Sequence, residues 1–140
     1  MASVSFHSHD IDFNVPNPRK TVAWIKLTIK KEKATLNHLN FIFCSDEYVR
    51  LLNIQYLNHK TFTDILTFNT SEVPGGPLEG DIFISIPRVT ENASKLDVSF
   101  EEELRRVIIH GVLHLIGYLD KAPAQKKQMR KKEDSYLSLW

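Results

Sequence analysis

Apolar residues along the chain fall into short runs that read as strands and longer runs with helical spacing. Together these predict about four strands and about five helices. The stretch SVSFH, residues 3–7, reads as a strand that Ile11–Phe13 extends. Asn17-Pro18 reads as an N-cap followed by proline at the first helical position. The helix that follows carries Val22, Ile25 and Ile29 on one face and Lys26, Lys30 and Lys33 on another. Leu39–Cys44 is short and aromatic, which suits a buried strand. Ser45 caps the next helix, Asp46 and Glu47 suit its positive end, and Tyr48, Leu51 and Leu52 form its expected core face.

Thr63–Phe68 predicts a third strand and DIFISI, residues 81–86, a fourth. The glycine- and proline-rich EVPGGPLEG between them predicts a loop and antiparallel pairing. Pro87 opens a helix running to about Leu96. Ser99 and Glu102 have the spacing of a capping box. The helix they announce is apolar nearly all round, with Leu104, Val107, Ile108, Ile109, Val112, Leu113, Leu115 and Ile116, so it belongs at the centre of the molecule. Gly117 is its expected terminator, and a last helix starts near Pro123. The expected architecture is one α+β domain over residues 1–140, a small mixed sheet flanked by helices, with a site at the end of the central helix.

Composition narrows this picture without redirecting it. With 42% hydrophobic and 25% charged residues in 140, the chain has the make-up of a globular domain with a real core. A net charge of +1 leaves any nucleic-acid surface to local clustering. The single cysteine, Cys44, excludes an intrachain disulfide framework and a cysteine-based zinc site. It is expected, like Trp24 and Trp140, to be a packing residue. The N-terminus has no basic segment followed by an apolar run, and no apolar stretch is long enough to span a bilayer. A cytoplasmic protein with no membrane partner is expected.

Candidate chemistry lies in HGVLHLIGYLD, residues 110–120. His110 and His114 stand one helical turn apart, roughly 5–6 Å between Cβ atoms, so both imidazoles can reach one ion. A bare pair at this spacing is equally compatible with two core histidines bonded to backbone carbonyls. Gly117 and Asp120 favour the metal, because the glycine lets the chain reverse and the acid can return to the ion as third ligand. Three protein ligands leave a fourth position open, as in a catalytic zinc site. Zinc peptidases of the H-E-x-x-H type carry their general base after the first histidine, and here that residue is Gly111.

The string HGVLHLIGY closely resembles the signature of the YbeY family of bacterial rRNA-processing endoribonucleases, and TDILTFN and EGDIFIS resemble two of its strands. The resemblance implies a zinc-dependent, single-strand-preferring endoribonuclease acting in rRNA maturation and ribosome quality control, with single-stranded RNA or rRNA and the ribosomal small subunit as partners. It implies a mixed sheet flanked by helices. Two positions depart from the family pattern. Asp120 replaces the usual third histidine, with Leu119 before it in place of an aspartate; an anionic ligand there weakens the ion as a Lewis acid and widens metal preference to other divalent transition metals. Leu57 stands where the family has an arginine after the tyrosine of N-x-x-Y-R, and His59 and Lys60 are the nearby groups that offer a cation or a proton. Thr63, Asp64, Arg106, Lys127 and Lys131 are the expected RNA contacts, within a wider basic set of Lys26, Lys30, Lys33, Arg105, Lys126 and Arg130. Asp64 is equally suited to orienting a ligand histidine or capping a turn. The competing readings are a metallopeptidase or other metal hydrolase, and a ribosome-associated binding protein with reduced activity.

Overall fold

The computed structural model describes residues 2–59 and 62–140. Among the described residues four strands and five helices follow in the order β1 (Ser3–Ser8), α1 (Pro18–Lys31), β2 (Leu36–Cys44), α2 (Asp46–Leu57), β3 (Ile65–Asn69), β4 (Leu78–Ser85), α3 (Ile86–Leu96), α4 (Phe100–Ile116) and α5 (Pro123–Leu137). The sheet order is β1-β2-β4-β3. β1, β2 and β4 are parallel, and β3 runs antiparallel beside β4, with Ile65 opposite Ile84 and Asn69 opposite Gly80. The expected α+β class and mixed sheet are the observed ones.

The inner sheet face buries Leu39, Phe41, Phe43, Ile82 and Ile84 against Trp24, Ile25 and Ile29 of α1 and Leu104, Ile108, Val112 and Leu113 of α4. Helix α4 touches β3, β4, α1, α3 and α5, the central position its apolar surface requires. Its start is fixed by Ser99, whose Oγ accepts the Glu102 amide at 3.1 Å, with Glu101, Glu102 and Glu103 in the positively polarised first turn. Close approach of α4 to the sheet depends on Gly111: a Cβ there would lie 2.8 Å from Ile65 Cδ1 and 3.1 Å from Ile82 Cγ2. Helix α2 covers part of the outer face through Val49 and Leu52, packed on Cys44 and Leu66. The rest of that face is polar, with His38, Asn40 and Asp81 joined by hydrogen bonds across β2 and β4.

Four expectations need correction or refinement. Ile11–Phe13 does not extend β1: Asp10 turns left-handed, and its carboxylate accepts the Ser45 amide and hydroxyl at the start of α2. Asn17 does occupy the N-cap position before Pro18, but it too is left-handed and caps without a side-chain bond, its carbonyl accepting the Thr21 amide. Leu51 is 48% exposed, and Val49 takes the core position instead, because α2 lies over one end of the sheet only. Lys33 falls beyond α1 in a left-handed turn. Among the described residues no helix is long and apolar enough to cross a membrane.

Candidate metal centre

The last two turns of α4 present His110 and His114 side by side, with ring centroids 4.6 Å apart and ring planes nearly perpendicular. The helix stops at Gly117, whose φ of 128° is open to glycine. The Gly117 amide donates to the Leu113 and His114 carbonyls, and the Tyr118 amide to Leu113. The chain then reverses and returns Asp120 to the two rings. Asp120 Oδ2 lies 3.3 Å from His110 Nε2 and 3.2 Å from His114 Nε2. The three ligand atoms are all within 4.8 Å of one another, the only such group among the described residues, and all three side chains are half-buried.

Two imidazole lone pairs and one carboxylate oxygen converging on a point repel one another unless a cation or a proton lies between them. Two nitrogens and one oxygen suit zinc and neighbouring divalent transition metals, and three ligands leave a position for water or substrate. The residues fit such an ion.

Behind this triad stands a carboxylate that sequence reading missed. His110 Nδ1 donates to Glu133 Oε2 at 2.6 Å. Glu133 Oε1 accepts from Arg106 Nη1 at 2.9 Å, and Arg106 Nη2 reaches Asp134 at 2.7 Å. Glu133 is only 5% exposed. With the proton held at Nδ1, the Nε2 lone pair of His110 faces Asp120, which is the tautomer a metal ligand needs. Burial disfavours the charged imidazolium, but the hydrogen bond and charge of Glu133, with Asp120 and Asp64, outweigh it and raise the His110 pKa above its ordinary value. A signal for Glu133 did exist. Met129, Glu133 and Tyr136 form the buried stripe of α5, so an acid occupies one position of an otherwise apolar face.

The structure places the other expected residues unevenly. Asp64 lies just before β3, buried enough to push its carboxyl pKa up, and its interaction with His110 is electrostatic, without a hydrogen bond. The Thr63 hydroxyl donates to the Ile65 carbonyl at 3.3 Å. Arg106, expected as an RNA contact, has its guanidinium committed to Glu133 and Asp134 and is largely covered. Lys127 and Lys131 are exposed on α5, as are Lys126 and Arg130. Leu57, the last residue of α2, and His59, two residues past it, are exposed. Lys60 lies outside the described residues. Trp24 and Cys44 are buried as expected, and Trp140 packs edge-on against Trp24 at 5.4 Å.

Comparison with known proteins places this arrangement in context. A family model described as endoribonuclease YbeY matches residues 4–140. Proteins named endoribonuclease YbeY from Flavobacterium psychrophilum and Cytophaga hutchinsonii are 46% and 45% identical over 98% of this chain, spanning 96% and 95% of their own lengths. One from Amoebophilus asiaticus is 44% identical over 97% of this chain and 92% of its own. The solution structure of a Thermotoga maritima protein superposes with a TM-score of 0.61 at 29% identity, covering 97% of this chain and 87% of that one.

Proposed function

The chain belongs to the endoribonuclease YbeY family, and on that premise we propose that it is a zinc-dependent endoribonuclease cutting single-stranded RNA in rRNA maturation and ribosome quality control. It works as a single domain in the cytoplasm, with rRNA and the small ribosomal subunit as its partners. The observation that carries this reading is the convergence of His110, His114 and Asp120 within 4.8 Å at the end of α4.

These three residues would hold the ion. When bound, it would supply Lewis-acid chemistry, polarising a phosphoryl oxygen or lowering the pKa of a water to about 7, and either would assist phosphodiester cleavage. Glu133 keeps the proton of His110 at Nδ1, and Arg106 keeps Glu133 in place. Asp64, its carboxyl pushed above the ordinary range by burial, can hold a proton beside the site. Lys127 and Lys131 meet the phosphate backbone of a strand entering along α5, and Thr63 lines the entrance to β3. His59 and Lys60 take the cationic task that the family assigns to the position of Leu57.

The absent arginine favours one second reading, an RNA-binding protein of the ribosome with reduced turnover. A peptidase is disfavoured by the packing of Gly111. The position that carries the base in H-E-x-x-H enzymes faces Ile65 and Ile82 here, where even a Cβ would lie 2.8 Å from Ile65 Cδ1 and an acid would enter apolar packing. Incubating the protein with single-stranded RNA and with casein, with and without chelator, separates the three. Chelator-sensitive cleavage of RNA alone is the expected result. Cleavage of casein alone would establish the peptidase, and cleavage of neither the binding protein.

A further inference from the structure

One buried carboxylate outside the metal triad joins the two parts from which the site is assembled. Glu32 follows the last residue of α1, a helix anchored in the core by Ile25 and Ile29. Its side chain is 8% exposed. Oε1 accepts the Tyr118 hydroxyl at 2.5 Å. Oε2 accepts Lys132 Nζ at 3.1 Å and the Tyr136 hydroxyl. Tyr118 opens the segment that carries Asp120, whereas Lys132 and Tyr136 flank Glu133 on α5. One anion therefore ties the turn of the third ligand to the helix that orients the first.

The turn needs such a tie. Residues 118–122 belong to no helix or strand, and the neighbouring Leu119 is 56% exposed and holds nothing. At its far end the Lys121 and Ala122 amides donate to Gln125 Oε1 on α5, and at its near end the Tyr118 hydroxyl joins it to Glu32 at the end of α1. Burial opposes ionisation of Glu32, yet the bonds from Tyr118, Tyr136 and Lys132 hold its carboxyl below the ordinary range, so the tie is ionic at neutral pH. Lys132 also lies 5.5 Å from the centre of the Tyr118 ring, adding a cation–π contact to the same junction.

We propose that Glu32 is a positioning residue of the metal centre: through Tyr118 it fixes the turn that delivers Asp120 to His110 and His114. The proposal rests on reading those three residues as ligands. Neither Glu32 nor Tyr118 touches the ion. They remove the freedom of the loop before binding, so that affinity is not spent on ordering it.

The test is zinc affinity, measured by competition with a chromophoric chelator, alongside the thermal midpoint of the metal-free protein. Four proteins are compared with the parent: Tyr118→Phe, Glu32→Gln, the double variant and Asp120→Ala. Tyr118→Phe removes one oxygen and leaves the ring's packing. Each single variant is expected to bind zinc about tenfold more weakly, at the lower end of what losing an outer-shell partner costs. The double variant should lose little more than either single one, because both cut the same tie. Cobalt-loaded Tyr118→Phe should show a weaker or shifted visible spectrum, reporting a displaced oxygen ligand. If both single variants keep parental affinity to within about twofold while Asp120→Ala loses it, the proposal is overturned, whatever happens to the thermal midpoint. If Asp120→Ala also keeps parental affinity, the ligand assignment itself is wrong and the proposal falls with it.

Discussion

At the scale of single residues, the site separates three groups whose donor atoms could hold an ion from the groups that aim them. His110, His114 and Asp120 bring their donor atoms together, and Glu133 decides which nitrogen of His110 carries the proton. Glu133→Gln keeps the size and one acceptor but removes the charge. It is expected to weaken zinc binding about 10–100-fold by chelator competition, with the histidines untouched. Asp120→His should retain the ion, since imidazole suits the same metals, and should narrow the range of divalent ions bound. The convergence of the two histidines and the returning acid was legible in eleven consecutive residues, because helical spacing and a glycine stop are local properties. Glu133 was not: it lies 23 residues from His110, and only the docking of α5 on α4 makes it a partner. Arg106 misled for the same reason, since a lysine- and arginine-rich sequence does not show which cation has found a carboxylate.

At the scale of elements, two fixed ends set where the site can form. Ser99 starts α4 and Gly117 stops it, so the histidines fall in the final turns where the chain can fold back on them. Ser99→Ala should cost about 1 kcal/mol in denaturant unfolding, with an unchanged denaturant slope, because an amide at the helix start loses its acceptor. Gly80 sets the approach of β3 to β4: a Cβ there would meet the Phe68 carbonyl oxygen at 2.7 Å, a backbone atom with little freedom to move aside. Gly80→Ala should therefore cost about 1–3 kcal/mol in the same measurement. The strands were legible from the apolar residues that alternate onto the inner face of the sheet, and α4 from a surface that is apolar nearly all round. Helix α2 was harder. It covers one end of the sheet only, so its apolar residues outnumber its buried positions and Leu51 could not be told from Val49. The end of β1 was set by Asp10 reaching Ser45, a contact across 35 residues that no local pattern announces.

At the scale of the whole molecule, α1, α4 and α5 and the turn after α4 meet at buried charges, and this junction predicts a pH dependence. The Glu32 carboxyl lies below its ordinary value of 4.5 because hydrogen bonds from Tyr118, Tyr136 and Lys132 overcome its burial. Its stabilising effect is present above that value and lost as pH falls through the depressed one. Glu32→Gln should thus melt below the parent at neutral pH, and the gap should close in acid, as thermal midpoints of the metal-free proteins at stepped pH would show. The same architecture ties the ion to the fold: chelation should lower the melting midpoint of the parent, because the ion binds the folded chain and not the unfolded one. The central claim is that the end of α4 and the turn after it form one metal centre. Its most direct test is the zinc content of the purified protein beside that of His114→Ala. The account predicts about one ion per chain in the parent and nearly none in the variant; equal content in both, or none in either after loading with zinc, would contradict it.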